Sequence, residues 1–119
     1  MTFQHKSLAA GRWALMPLDE QMGNIGSEIS RAINWKNKGN EEYSRGAVVR
    51  ALELFDLTLD SQKGLRRLRE IARAREVVVD YFWGDNEYGS TETSMRQYFD
   101  WFALAARGRI LQERGRACG

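Results

Sequence analysis

The segment Lys38-Gly39-Asn40-Glu41-Glu42 decides the fold, because one helix ends and the next begins within it. Gly39 suits the left-handed conformation that ends many helices. Asn40 suits the cap of a following helix, and the two glutamates after it favour the dipole of that helix's first turn. A connection this short predicts two neighbouring helices that run in opposite directions.

Amphipathic stripes extend in both directions from this segment. The helix before it begins near Pro17, which is tolerated in a first turn, and apolar residues then recur at spacings of three and four. Its stripe is Leu18, Met22, Ile25, Ile29, Ala32 and Lys36. The second helix carries the core stripe Val48, Ala51, Leu52, Phe55 and Leu59. Residues 60–64 then lead to a third helix at about 65–82, with the predicted stripe Leu65, Leu68, Ala72, Arg75, Val79 and Phe82.

A fourth helix is predicted from Ser90 or Thr91 to about residue 107, with a frayed tail over 107–119. We expect residues 1–16 to form an arm or short helix that packs on the rest. The sequence therefore predicts one all-α domain, 1–119, folded as an antiparallel four-helix up-down bundle. The apolar arc of the fourth helix is wider than one core needs, which predicts a homodimer through this helix and the arm.

Composition narrows the class of protein. Apolar residues make up 43% and charged residues 29%, which is typical of a folded domain. The single cysteine, Cys118, excludes an internal disulfide and any cysteine-based zinc site, and no segment has the character of a signal peptide or membrane span. We expect a cytoplasmic protein. Arginine far outnumbers lysine, and the acids interspersed with it favour internal ion-pair networks over a nucleic-acid surface.

Arg75 stands out because the predicted stripe of the third helix places it in the buried seam, where a charge needs a partner. Glu28 on the first helix and Glu53 on the second are the candidate partners. The predicted buried polar network is Glu28, Arg50, Glu53 and Arg75. Two interpretations stay open: a structural network that fixes helix register, or an arginine that binds phosphate or takes part in catalysis.

Glu76 and Asp80 lie four residues apart near the end of the same helix, where like charges disfavour it. They form either an exposed ladder of ion pairs with Arg69 and Arg73, or a carboxylate pair that binds a cation or the arginine of a partner.

The loop that follows the third helix is rich in aromatic and acidic residues. Its aromatic residues either close the end of the bundle or stack on a base or in the groove of a partner. The predicted binding surface consists of Arg73, Arg75, Glu76, Asp80, Trp83 and Tyr88. The four arginines after residue 106 belong to a solvated end or, alternatively, to an arm that binds nucleic acid.

No complete catalytic set is recognisable. The only histidine, His5, lies outside the predicted bundle and far along the chain from Cys118, so neither a di-metal carboxylate site nor a Ser–His or Cys–His pair is supplied. The sequence also lacks a glycine-rich phosphate-binding motif. We therefore expect no cofactor and no metal, and we favour a binding protein over an enzyme. A protein that binds a small ligand or a metal between the helices stays open as an alternative.

The stretch Arg75-Glu76-Val77-Val78-Val79-Asp80-Tyr81-Phe82 resembles the HEPN superfamily, small helical bundles of bacterial and archaeal defence and toxin–antitoxin systems. The motif of that family is an arginine followed after four to six residues by a histidine, and two copies meet across a dimer to cut RNA. Here Arg75 matches the arginine, whereas Asp80 occupies the histidine position. The resemblance implies a non-catalytic member that binds a partner such as a nucleotidyltransferase encoded nearby. The alternative it implies, which stays open, is a metal-independent ribonuclease that uses Arg75 and Asp80.

Overall fold

The computed structural model describes the backbone of residues 11–118 and the side chains of residues 11–115. It consists of four long helices, α1 (Leu18–Asn37), α2 (Glu41–Ser61), α3 (Leu65–Trp83) and α4 (Glu92–Cys118). Residues 11–14 are also helical, and the described part of the chain contains no strand. The predicted all-α class is confirmed.

Local caps set the helix boundaries. Gly39 adopts a φ of 79° after α1, as its place in the sequence predicts. Asn40 Oδ1 then accepts a hydrogen bond from the backbone N–H of Tyr43 at 3.0 Å and so caps α2. At the start of α4, Thr91 Oγ1 accepts from Ser94 N at 3.0 Å while Ser94 Oγ accepts from Thr91 N at 2.9 Å. Of the two predicted caps of this helix, Thr91 is the one that is used.

Helix α1 is the central element, since it packs against α2 on one side and α4 on the other, whereas α3 packs mainly against α2. In its first turn, Gln21 Nε2 donates a hydrogen bond to Ser61 Oγ, at the end of α2, at 3.1 Å. Asp19 of the same turn forms an ion pair with Arg109 in the last part of α4. Both α2 and α4 therefore run opposite to α1. The buried residues of α1 are Gln21, Met22, Ile25, Gly26, Glu28, Ile29, Ala32 and Ile33.

Two glycines on α1 allow α4 to approach closely. A Cβ added to Gly26 would lie 2.5 Å from Phe99 Cβ, so the aromatic side chain occupies the space that any other residue would fill. One turn earlier, a Cβ on Gly23 would meet Ala103 Cα at 3.6 Å. Phe99 in turn packs edge-on against Phe55 of α2, with ring centroids 6.2 Å apart. This contact joins three helices in one core.

The helical segment 11–14 is fixed to the bundle by hydrogen bonds. Trp13 is buried, and its Nε1 donates to Thr58 Oγ1 at 2.9 Å. Gln21 Nε2 donates to the carbonyl oxygen of Trp13 at 2.7 Å. This part of the predicted arm therefore packs on the bundle, whereas residues 1–10, including His5, lie outside the described residues.

Helix α4 continues to Cys118, so the predicted end near residue 107 is wrong. Gly108 and Gly115 lie inside the helix rather than ending it. Arg109 binds back to α1, with nitrogen–oxygen distances of 3.4 Å to Asp19 and 3.3 Å to Glu20. The hydrogen bond that Arg109 Nε donates to Asp19 raises the pKa of Arg109, which keeps the guanidinium charged. These ion pairs hold the second half of α4 against the start of α1.

The predicted core stripe of α3 is also wrong. The residues that α3 buries are Ile71, Ala74 and Val78, which form the neighbouring row on the helix surface. Arg75 consequently lies at the margin of the core, with 34% of its side chain exposed. A charge at this position keeps contact with water and does not require a buried counter-charge.

Candidate functional site

Arg75 forms an ion pair that differs from both predictions for it. Its Nε donates to Asp56 Oδ1 on α2 at 3.0 Å, and not to Glu28 or Glu53. Asp56 has 60% of its side chain exposed, so solvent screens the pair. Such surface pairs contribute on the order of 0–1 kcal/mol to stability. The Arg75–Asp56 pair links α3 to α2 at the surface.

The predicted network of four residues divides into separate contacts. Glu28, which is largely buried on α1, accepts from Arg50 Nε of α2 at 3.0 Å and from Arg31 Nη1 at 2.6 Å. Glu53 Oε1 is shielded from solvent and has no hydrogen-bond partner among residues 11–115. The prediction that Arg75 belongs to this network was wrong. The predicted row of α3 that contains Arg75 is not the row that the structure buries.

Asp80 anchors the loop that follows α3. Its Oδ1 accepts from Glu87 N at 2.8 Å, and its Oδ2 accepts from Tyr88 N at 3.0 Å. Gly84 makes room for this contact, since a Cβ there would lie 3.0 Å from Asp80 Cα. Both carboxylate oxygens are thus used within the chain. This role is neither of the two predicted ones, an ion-pair ladder or a cation site.

Further contacts hold the same loop, residues 84–91. Asn86 adopts a φ of 55°, and its side chain both accepts from Ser90 N at 2.8 Å and donates to Ser90 O at 2.9 Å. Tyr88 Oη donates to Glu76 Oε2 at 3.1 Å, and this bond raises the pKa of Tyr88. Glu76 and Asp80 therefore act together, because each binds the loop from α3. The loop is held in one conformation while half of the Tyr88 side chain stays exposed.

Trp83 lies at the other edge of α3, where it contacts α2 instead of the loop. The Cζ atom of Arg45 is 6.0 Å from the centroid of the Trp83 ring, within the range of a cation–π contact. Trp83 also lines an open hollow of about 410 Å³ at this end of the molecule. The remaining lining residues are Lys36, Glu41, Glu42, Ser44, Arg45 and Phe82. Trp83 and Tyr88 thus have different neighbours, although both are close to half exposed.

A mostly apolar cleft of about 320 Å³ separates α3 from α4. It is lined by Glu70, Arg73, Ala74, Val77, Val78, Ser90, Ser94, Met95, Tyr98 and Phe99. Burial in this cleft raises the pKa of Tyr98 to about 12, and the negative charge of Glu70 adds to the effect. Of the residues predicted to bind a partner, only Arg73 lines the cleft. The sequence-based prediction missed the cleft because it assigned α3 the wrong buried row.

The opposite face of α4 carries exposed apolar side chains. Trp101 is 71% exposed, Leu104 is 63% exposed and Leu111 is 59% exposed. Gly108 lies between the two leucines on the same face, and a Cβ there would have no neighbour within 4 Å. We call these four residues the outer stripe. Trp101 and Leu104 belong to the predicted wide apolar arc, whereas Gly108 and Leu111 lie beyond the predicted end of this helix.

No group of three His, Cys, Asp or Glu side chains among the described residues could hold a metal ion. None of the helices in the same part of the chain is long and apolar enough to cross a membrane.

No protein-family model, curated protein or solved structure matches this chain. The HEPN resemblance therefore stays a prediction that rests on Arg75 to Phe82 alone.

Proposed function

We propose that this chain is a non-catalytic helical interaction protein that acts as a homodimer. The observation that carries the proposal is the outer stripe of α4. Its three large apolar side chains are each more than half exposed, although the opposite face of the same helix packs closely on α1. Large exposed apolar patches are typical of protein interaction sites, and most soluble oligomers are symmetric dimers.

A second surface is proposed to bind the functional partner. It consists of the α3–α4 cleft with Arg73 at its wall, together with the anchored loop that carries Tyr88. A loop held in one conformation loses little entropy on binding, which favours recognition. In line with the HEPN resemblance, we propose a nucleotidyltransferase encoded nearby, in a toxin–antitoxin or defence system, as this partner.

A ribonuclease that uses Arg75 and Asp80 takes second place. Asp80 would have to act as a base, but its two oxygens already accept hydrogen bonds from backbone amides. A carboxylate with an ordinary pKa of about 4 is a weak base for a ribose hydroxyl. Arg75 is paired with Asp56 instead of facing an open site. Cleavage of RNA by the purified protein, lost in Asp80→Asn, would reverse this order.

The same proposal takes the fold to be an antiparallel four-helix up-down bundle in the cytoplasm. Opposite directions of α1 relative to α2 and α4, together with the short connections between helices, support the topology. The single cysteine supports a reducing compartment.

The first test is the mass in solution of three proteins, measured by light scattering. The parent and Leu65→Glu should have twice the chain mass of 13.7 kDa, and Leu104→Glu should have the mass of one chain. Leu65 is the matched control because it is a leucine of similar exposure, 65%, on α3. A parent protein with the mass of one chain, or a dimeric Leu104→Glu, contradicts the homodimer through α4.

The second test concerns the partner surface. Binding of the adjacent nucleotidyltransferase should be lost in Arg73→Glu/Tyr88→Ala, while the mass of the dimer stays unchanged. Asp85→Ala alters an exposed acid of the same loop and should bind like the parent. Equal binding by all three proteins would contradict this surface.

A further inference from the structure

We infer that the outer stripe binds the outer stripe of a second copy in one antiparallel register, with Trp101 packed against the partner's Leu104 and Asp100 paired with the partner's Arg107. This inference rests on the proposed homodimer and specifies its geometry. Three observations carry it: the spacing of the stripe, the open space at Gly108, and the charges beside the stripe.

The exposed face of α4 has the spacing of a coiled-coil seam. Gln97, Trp101, Leu104, Gly108 and Leu111 follow one another at alternating intervals of four and three residues. This alternation keeps one line of side chains facing a partner helix over several turns. All five residues lie outside the core, so the seam is not used within one chain.

The sizes of the seam residues select a register. When Trp101 of one copy lies opposite the partner's Leu104, the two-fold axis also places Leu104 of the first copy opposite the partner's Trp101. The next layer then places Gln97 opposite the partner's Gly108. Because a Cβ on Gly108 would meet no atom within 4 Å, this position has room for the side chain of the other copy.

The charges beside the seam favour the antiparallel direction. Asp100 and Arg107 flank the same edge of the seam, one heptad apart, and both are exposed. Neither forms an ion pair with any residue between 11 and 115. In an antiparallel pair, equivalent edges of the two helices face each other, so Asp100 meets the partner's Arg107 twice in the dimer.

A parallel pair would not use these charges. Each edge would then face the opposite edge of the other helix. Asp100 would meet the partner's Ala105, and Arg107 would meet the partner's Gln112, both uncharged. The charge pattern thus separates the two directions, since only one of them forms ion pairs.

Charge reversal tests the register at low salt. Asp100→Arg and Arg107→Asp should each raise the dimer dissociation constant by about 10-fold, because two attractive pairs become two repulsive ones. The double variant, Asp100→Arg/Arg107→Asp, restores the pairs with exchanged signs and should return to within about threefold of the parent. Asp85→Arg makes the same change of charge in the exposed loop and should leave the dissociation constant unchanged. The register is overturned if the double variant loses as much dimer binding free energy as the two single variants lose together.

A disulfide experiment tests the direction independently. In a Cys118→Ser background, a mixture of Gln97→Cys and Gly108→Cys chains should form a mixed disulfide on mild oxidation. Gln97→Cys alone should form none, because in this register its two copies are about 16 Å apart along the helices. A disulfide between two Gln97→Cys chains, or none in the mixture, overturns the inference. If Leu104→Glu is nevertheless monomeric, the homodimer through α4 stands and only its register fails.

Discussion

Helices α1 and α3 have nearly the same length but opposite roles in the structure. Helix α1 buries eight of its 20 residues and has a packed neighbour on each side, whereas α3 buries three of its 19. Helix α3 adds only Ile71, Ala74 and Val78 to the buried core, and its polar side chains lie at the surface, where they pair with α2 and hold the loop. Stability is therefore concentrated in α1, and α3 is free to present side chains for binding.

The largest expected effect comes from removing core volume on α1. Ile29 is 1% exposed, so Ile29→Ala should lower the free energy of unfolding by about 2–5 kcal/mol. Leu65→Ala on α3 removes a side chain that is 65% exposed and should change stability by less than about 0.5 kcal/mol. Urea unfolding of both variants measures the difference. Equal losses would contradict the difference in burial between Ile29 and Leu65.

A smaller loss is expected from adding volume between α1 and α4. Gly26→Ala places a methyl group 2.5 Å from Phe99 Cβ, so it should destabilise the protein by about 1–3 kcal/mol despite the helix preference of alanine. Gly46→Ala on α2 is the matched control, because its Cβ would meet only Arg50 Nη1 at 3.6 Å. That variant should be more stable than the parent by about 0.5–1 kcal/mol. Thermal unfolding that shifts both variants in the same direction contradicts the close approach of α4.

On α3, the expected loss is smaller again and local. Asp80→Ala removes two hydrogen bonds to the loop and should cost about 1–2 kcal/mol. The backbone amides of Glu87 and Tyr88 should then exchange hydrogen faster, while amides of α1 keep their protection. Asp85→Ala, in the same loop, should leave exchange at both amides unchanged. Unaltered exchange in Asp80→Ala would show that the loop does not need this anchor.

The smallest effect is the ionisation of Tyr98 in the cleft beside α3. Because burial raises its pKa to about 12 from 10.0, the fold favours the neutral phenol. The resulting contribution to stability is complete below pH 10 and decreases as the pH rises towards 12. Ultraviolet titration should show a tyrosine ionisation at about pH 12 that is absent in Tyr98→Phe. If Tyr98→Phe leaves this ionisation in place, the cleft does not shield this residue.

The helices were predictable from sequence wherever local chemistry decides. Gly39, Asn40 and Thr91 act as the stop and caps that their residue types suggest. The end of α4 was not predictable in this way. Gly108 and Gly115 weaken a helix, but the ion pairs of Arg109 with Asp19 and Glu20 are made across the fold and do not appear in the local sequence.

The candidate site was predicted less well, and Arg75 shows why. Two neighbouring rows on α3 are apolar, and the choice of the row with Arg75 led to a buried network that does not form. The cost of burying an arginine favours the other row, with Ile71 and Val78. The anchoring role of Asp80 depends on how the chain turns after Gly84, which spacing along a helix does not reveal. The residues of the binding surface, apart from these contacts, stay a prediction.

The position of α1 between α2 and α4 has a consequence for synthesis on the ribosome. Helix α2 follows α1 directly and can pair with it early, but the other face of α1, with Gly23 and Gly26, waits for the last helix. Until then the surface around Gly26, on which Phe99 packs, has no cover from α4. The nascent chain therefore exposes an apolar surface for most of its translation, and we expect chaperones to bind it during that interval.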